Sequence, residues 1–488
     1  MTPAHTPTSF TAPPSRPNVI LILMDDMGWK DLGCTGSAFY ETPHIDRLRA
    51  QGVRFTDAYA ACPVCSPTRA SILTGRYPAT VGVTDWIDWQ GNCHPARGKV
   101  VDVPYLDHLP LSETSLAAAL HDAGYATWHV GKWHLGGPET YPDRHGFEVN
   151  VGGCEWGCPI KGYFAPWGIP VIDDEAPEGT YLTDYLTDRA IALIRENDDR
   201  PFYLNLWYYA VHTPIQAKPE LVARYEAKAR AMGLDRVRTF EEGDFFPCEH
   251  KRTRRIRRRL VQSDPVYAAM IHTVDENVGR LLRAVEETGQ AENTVVLFFS
   301  DNGGLATAEG SPTCNAPLAE GKGWMYEGGT REPLLIHWPG ITTPGATCAE
   351  PVTSTDFYPT ILDMAGLPLM PEQHCDGVSL VPLLRGSGGL DREAMYWHYP
   401  HYGNQGGTPG SSIRAGDYKL IEFFEDGALE LYDLRQDPGE TRNLAAAEPE
   451  RAARLHAALV RWREQVEAQI PRPNPDFEPW SEAHSRFE

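Results

Sequence analysis

No stretch of this 488-residue chain holds the ~20 consecutive apolar residues that a membrane-spanning helix needs. Residues 1–17 are rich in Thr and Pro and lack the apolar core of a secretory leader. As it stands the sequence therefore points to the cytoplasm, or to the periplasm or exterior if a leader was removed. Residues 1–16 are expected to be disordered. Positive charge is also scarce: 44 Lys and Arg face 66 Asp and Glu, a formal net charge of −22. That balance opposes non-specific binding to nucleic acid or to an anionic membrane. It does not exclude an anionic substrate, because a local cationic pocket overrides the global sign. The ten cysteines are too dispersed for a compact disulfide scaffold, and they leave the redox compartment open. No internal repeat is visible.

What the chain does contain is apolar sequence, 42% of its residues, enough for a globular protein with one large and one small domain. Several near-continuous apolar runs end in chemically loaded turns. Residues 18–24 (NVILILM) lead into Asp25-Asp26, and residues 126–130 into Gly131-Lys132-Trp133-His134. Residues 202–209 precede His212-Thr213-Pro214, and residues 294–300 (TVVLFFS) lead into Asp301-Asn302-Gly303-Gly304. Such runs suit parallel strands covered on both faces. Between them lie helical stripes: Leu182, Leu186, Ala190 and Ile194, then Ile271, Val274, Val278, Leu281 and Val285 with Gly289 as a stop. The alternation predicts an α/β fold over residues 17–385, a large mostly parallel sheet sandwiched by helices. Ligands of such sheets bind beyond the carboxyl ends of the strands, where all the loaded turns would meet. From residue 386 the character changes. Residues 412–434 read as short strands with turns at Gly416-Asp417 and Asp426-Gly427, and residues 448–469 as an amphipathic helix. This predicts a smaller C-terminal α+β subdomain, residues 386–488, carrying an antiparallel sheet.

Asp25, Asp26, Asp301 and Asn302, brought together, offer three carboxylates and an amide oxygen. Hard oxygen ligands suit Ca²⁺ or Mg²⁺, and a cation would relieve the repulsion among the carboxylates. Cys62 and Cys65 form a C-x-x-C pair, which becomes a redox motif only in a setting that lowers a thiol pKa. Cys65 also opens a C-x-P-x-R sequence, Cys65-Ser66-Pro67-Thr68-Arg69. The run of residues 251–259 holds seven cations in nine residues and reads as a solvated helix face or mobile loop, with a grip on an acidic glycan or a partner subunit as the alternative.

The C-x-P-x-R sequence, its continuation through Arg76, Lys132 and His134 in a G-K-W-H-x-G block, His212 in H-x-P, Asp301-Asn302 in D-N-G-G, and Lys322 in Gly321-Lys322-Gly323 before Glu327-Gly328-Gly329-Thr330-Arg331-Glu332-Pro333 occur in that order. Together they resemble the type I, formylglycine-dependent sulfatases of the alkaline-phosphatase-like superfamily, in the arylsulfatase A and N-acetylgalactosamine-6-sulfatase branch. The resemblance extends from Pro17 to Leu444. It implies that a maturation enzyme converts Cys65 to formylglycine. It implies a Ca²⁺ ion, with Mg²⁺ as the alternative, held by Asp25, Asp26, Asp301, Asn302 and the residue at 65. Arg69, Lys132 and Lys322 would neutralise the sulfuryl oxygens, and His212 would protonate the leaving alcohol. His134 would deprotonate the residue at 65, so that a covalent sulfo-enzyme breaks down and the aldehyde is restored.

The substrate expected is a sulfated carbohydrate, attacked at an end, of galactose or N-acetylgalactosamine type. Trp86, Asp88, His94, Glu155, Trp156, His398 and His401 are the candidate sugar contacts, since aromatic faces beside polar groups suit sugar rings. A phosphonate or phosphate monoester hydrolase of the same superfamily, or an aryl or alkyl sulfatase, is the alternative. A glycan-binding protein without activity is opposed by the presence of every catalytic position. The sequence leaves oligomeric state open.

Overall fold

The computed structural model describes residues 16–88, 98–197, 200–248 and 251–478. Its centre is a nine-stranded sheet in the order Ala346–Cys348, Val53–Tyr59, Arg331–His337, Thr294–Ser300, Asn18–Met24, Phe202–Trp207, Ala126–Gly131 and Val149–Val151, with Val352–Thr353 also paired to Val53–Tyr59. Among the described residues its pairings are parallel except the two made by Arg331–His337.

The central strand shows why these sequences form this sheet. Asn18–Met24 is buried along its whole length. Ile20, Ile22 and Met24 pack in one core cluster with Leu182, Leu186, Ile271 and Val274, from the helices Leu182–Glu196 and Pro265–Glu287. Val19, Leu21 and Leu23 pack in the other with Ile72, Leu73, Phe357 and Ile361, from the helices Cys65–Thr74 and Phe357–Met364. Side chains alternate across a strand, so a continuous apolar run serves two helical layers at once. Each such side chain contributes about 1.5–3 kcal/mol by burial. The long helix Pro265–Glu287 starts where Asp264 accepts hydrogen bonds from the Val266 and Tyr267 amides, at 3.0 and 3.1 Å.

A separate four-stranded antiparallel sheet comprises Met395–Tyr399, Gly410–Ala415, Tyr418–Phe423 and Leu429–Asp433. The helix Pro449–Gln465 lays Leu455, Leu459 and Trp462 on its Ile413, Leu420 and Leu431. Buried polar contacts tie this sheet to the large one. Lys419 Nζ meets Glu327 at 3.0 Å, Arg414 meets Asp57 at 2.6 Å, and the Trp397 indole donates to the Ala60 carbonyl at 2.8 Å.

The basic run differs from its expectation as a helix face or loop. Arg255–Arg259 is a strand, paired antiparallel with Phe240–Phe245. Arg257 and Arg259 stack their guanidinium groups over Phe240, at 3.7 and 4.6 Å from its centroid, and Arg258 pairs with Glu320 and Glu241. The cations are tied down by aromatic faces and carboxylates from elsewhere in the chain, which the run itself does not reveal. Among the described residues no helix is long and apolar enough to cross a membrane.

Candidate active site

The loaded turns meet at one edge of the large sheet. Asp25-Asp26, Lys132, His212 and Asp301-Asn302 come just after the ends of four parallel strands. The helix Cys65–Thr74 begins past the end of Val53–Tyr59, which points the same way because both it and Thr294–Ser300 are antiparallel to Arg331–His337. That antiparallel strand brings its beginning to the edge, so Lys322, which precedes it, arrives there too. Local backbone is bent to fit: Asp26 and His134 adopt left-handed conformations, φ 63° and 58°, unusual for residues with side chains. Gly131, at φ 113°, lets the chain pass against its neighbour. A Cβ there would lie 1.9 Å from the Trp207 carbonyl, which instead accepts the Lys132 amide at 2.7 Å.

The side chains form one buried charge network. Lys132 Nζ is 2.7 Å from Asp25 Oδ2, and Lys322 Nζ is 2.7 and 2.9 Å from the two oxygens of Asp26. Arg69 donates from Nε and Nη2 to Asp301 Oδ2 at 2.9 and 2.7 Å, and from Nη1 to the Lys132 carbonyl at 2.8 Å. Asn302 Nδ2 donates to Asp26 Oδ1 at 2.8 Å. Burial by itself would raise the Asp25 pKa, but Lys132, His212, Arg69 and Lys322 together hold it far below the usual carboxylate range. Burial, then the Asp25 carboxylate, push Asp301 upward against the pull of Arg69. Burial also pushes the Cys65 thiol up to about 11, and it raises the Cys62 thiol well above its ordinary value. A reactive C-x-x-C pair needs the opposite shift.

The two histidines are set as different tautomers by their carbonyl partners. His134 Nε2 donates to the Ile87 carbonyl at 2.7 Å, which leaves Nδ1 as a buried acceptor without a partner. His212 Nδ1 donates to the Thr213 carbonyl at 2.9 Å, and its Nε2 lies 3.6 Å from Asp26. Burial lowers the pKa of both, with Lys132 adding to the effect at His134 and Lys322 at His212.

The donor set fits a hard divalent cation. Ligand atoms of Asp25, Asp26, Cys65 and His212 lie within 4.8 Å of one another. Asp25 Oδ1 and Asn302 Oδ1 are buried acceptors without hydrogen-bond partners, as a cation's ligands would be in its absence. Asp301 is shared with its neighbours: Arg69 engages Oδ2 at 2.7 Å, and Oδ1 accepts from the Asp26 amide at 3.3 Å.

Above Cys65 opens a pocket of about 190 Å³, lined by Trp86, His134, Gly157, Cys158, His212, Glu309, Lys322, Asn404 and Gln405. Of the expected sugar contacts only Trp86 is placed there. Asp88 is half-buried and outside the lining. Glu155 accepts a hydrogen bond from the Tyr141 hydroxyl, and Trp156 packs against the main core. His398 is buried between Ser411 Oγ, at 2.6 Å, and the Gln469 carbonyl, at 2.9 Å. His401 is buried between Asp102, at 2.6 Å, and Thr84, at 2.8 Å. Neither lines the pocket: His398 is held within the C-terminal part of the fold, and His401 is held by residues of the large α/β part. His94 lies outside the described residues. Sequence reasoning missed Glu309, Asn404 and Gln405. The one local signal for the latter two is their glycine-rich setting, Gly403 to Gly407, which lets the loop lie flat on Gly323.

Comparison with known proteins identifies the family. The family model described as sulfatase matches residues 17–367, and one described as N-sulphoglucosamine sulphohydrolase, C-terminal, matches residues 320–466. Human arylsulfatase A is 33% identical, over 89% of this chain and 85% of its own. Human N-acetylgalactosamine-6-sulfatase is 29% identical, over 94% and 87%. The crystal structure of Ps i-CgsB in complex with k-i-k-neocarrahexaose superposes with a TM-score of 0.74 at 27% identity, covering 97% of each chain. With the family matched over most of its length, and with the family's charged residues gathered at one sheet edge, the chain belongs to the sulfatases, enzymes that hydrolyse sulfate esters.

Proposed function

We propose that this sulfatase removes sulfate from a terminal galactose- or N-acetylgalactosamine-type residue of a sulfated carbohydrate, using formylglycine formed from Cys65. The observation that carries this reading is the pocket above Cys65. It has a cationic floor at Lys322 and a mouth of Trp86, Glu309, Asn404 and Gln405. At about 190 Å³ it is smaller than the roughly 300 Å³ of a drug-sized ligand's site, which favours one sulfated ring over a chain threaded through. The name of one relative, N-acetylgalactosamine-6-sulfatase, supports a ring of galactosamine type, and a structural relative crystallised with k-i-k-neocarrahexaose supports a carbohydrate substrate.

Asp25, Asp26, Asp301 and Asn302 would hold a Ca²⁺ or Mg²⁺ ion, which when bound supplies positive charge to a sulfuryl group and acidity to a neighbouring hydroxyl. Formylglycine at position 65 would supply a hydrated aldehyde, one hydroxyl of which would be the nucleophile. The remaining work falls to side chains already in place. Lys132, Lys322 and Arg69 offset the charge of the carboxylates and of the transferring sulfuryl oxygens, in a site dry enough for each charge to count. His134 presents an unprotonated Nδ1 and is suited to take a proton from the residue at 65. His212 is anchored through Nδ1, so Nε2, 3.6 Å from the Asp26 carboxylate, is the atom from which the imidazolium form would protonate the leaving alcohol.

The test is sulfate release, with Ca²⁺ present, from defined sulfated mono- and disaccharides alongside an aryl sulfate and an aryl phosphonate. Strong preference for one position of a galactose-type sugar is expected. Turnover confined to the aryl compounds, or preference for the phosphonate, would show the substrate class to be wrong. Aldehyde-specific labelling at position 65, in protein produced with a maturation enzyme, checks the nucleophile; an unmodified thiol in active protein would rule it out.

A further inference from the structure

The mouth of the pocket is built by residues without a catalytic role. Glu309 stands there in a left-handed turn, φ 53°, with 29% of its side chain exposed. Its Oε1 accepts a hydrogen bond from Gln405 Nε2 at 3.2 Å and faces Lys251 Nζ at 3.6 Å. Lys251, the first residue of the basic run, also donates to the Asn404 carbonyl at 2.7 Å. Gln405 is pinned through its own carbonyl, which accepts from Thr307 Oγ1 at 2.8 Å and from the Trp324 indole at 3.0 Å.

Gln405 is only 4% exposed, and its Oε1 has no hydrogen-bond partner. The carboxylate fixes the orientation of this amide, because only Nε2 can donate to it. The mouth therefore presents an acceptor to a ligand, the Glu309 oxygen that Gln405 does not occupy. A substrate bringing hydroxyl or amide N–H donors gains by pairing with that carboxylate oxygen, since a hydrogen bond to a charged acceptor is stronger than one to a neutral group. A second anion at this place would meet the Glu309 carboxylate with Lys251 already engaged.

We propose that Glu309, braced by Lys251 and Gln405, is a specificity-determining residue that accepts hydrogen bonds from free hydroxyls flanking the scissile ester and turns away sugars with a second sulfate beside it. This rests on the glycan reading above. It explains why one end of the basic run reaches the pocket: its charge holds a carboxylate in position instead of gripping an acidic polymer. It also separates two tasks that an anionic substrate sets. The cationic floor takes the one sulfate to be removed, and the mouth tests whether its neighbours are neutral.

The experiment compares a monosulfated galactose-type sugar with the same sugar carrying a second sulfate on the adjacent carbon. The quantity read is the ratio of their kcat/KM values, with aryl sulfate turnover reporting the active fraction of each preparation. Wild type is expected to favour the monosulfated sugar by about tenfold or more. Glu309→Gln should lower that ratio roughly tenfold, chiefly through KM, whereas Glu309→Asp, which keeps the charge, should preserve most of it. A wild-type ratio near unity overturns the proposal without need of any variant, as does a Glu309→Gln ratio within about twofold of wild type. Wild-type turnover of the aryl sulfate with neither sugar hydrolysed overturns the glycan reading itself, and this inference with it.

Discussion

Cys65 sits at the first turn of a helix beside two lysines, a setting that ordinarily favours a thiolate. Burial outweighs it and pushes the thiol up to about 11, so the unmodified side chain is protonated at neutral pH. In the proposed mechanism an aldehyde replaces the sulfur, and its hydrate would need no thiolate. Cys65→Ala should reduce sulfate release to background while leaving the melting temperature near wild type, and substantial residual turnover would eliminate the covalent route. The carboxylates beside it make a second prediction. Ca²⁺ at a hundredfold over its Kd should stabilise the fold by about 2.7 kcal/mol, since it binds only the folded state. Chelation should lower the melting temperature accordingly, and Asp25→Asn should flatten that response. A variant that keeps the full Ca²⁺-dependent shift would remove Asp25 from the ligand set.

At the level of elements, the antiparallel sheet shows how a polar residue is used for structure. His398 lies on Met395–Tyr399 opposite Ser411 in the register, and both of its ring nitrogens are engaged. Burial lowers its pKa to about 3, against an ordinary value of 6.5. As pH falls below 6.5 the unfolded chain takes up a proton that the folded chain refuses. The stability contributed is therefore complete above pH 6.5 and declines as pH drops toward 3. At pH 5 the loss is about 2 kcal/mol from this group alone. Thermal unfolding at pH 7 and pH 5 should show a smaller acid-induced drop for His398→Gln than for wild type, from a lower starting point. Equal drops would mean that the imidazole is already protonated, or solvated, in the fold. The hairpin of Phe240–Phe245 and Arg255–Arg259 uses its charges in the same structural way. Arginine on an aromatic face with a carboxylate beyond it is a packing unit, and the hairpin ends at the pocket wall through Lys251.

For the whole molecule, the question is how two sheets far apart in sequence share one pocket. The loop between Met395–Tyr399 and Gly410–Ala415 carries Asn404 and Gln405 onto Gly321-Lys322-Gly323 of the large α/β part. The contact is too close for side chains: a Cβ on Gly407 would lie 1.8 Å from the Gly323 carbonyl oxygen. Gly407→Ala must therefore push the loop off Lys322. Misplacement of about 1 Å costs on the order of a hundredfold in rate where geometry is critical, so kcat/KM on a sulfated sugar should fall by roughly ten- to a hundredfold. The melting temperature should fall by a few degrees as the sheets separate. Unchanged kinetics would show that the loop is spared and the pocket belongs to the large sheet alone.

The sequence by itself determined the parallel strands, the edge at which chemistry collects, and the identities of the charged residues there. Asp25, Asp26, Lys132, His212, Asp301 and Asn302 were legible because each comes at or shortly after the end of an apolar run, and a strand's end fixes where such residues go. Cys65 and Arg69 were legible through the C-x-P-x-R sequence and the resemblance it carries, and their spacing of one helical turn is compatible with it. Which polar side chains face the pocket was decided only by tertiary structure. His398 and His401 share the composition of a sugar site but are consumed by Ser411, Gln469, Thr84 and Asp102, partners that no local spacing announces. Gln405 and Glu309 reach the pocket because a loop of one sheet is pressed onto a turn of the other. The basic run became a strand because Phe240 and its neighbours came to pair with it. Local pattern fixes where a strand ends and which residues its turn carries, whereas the direction a loop side chain faces is set by the surfaces that close over it.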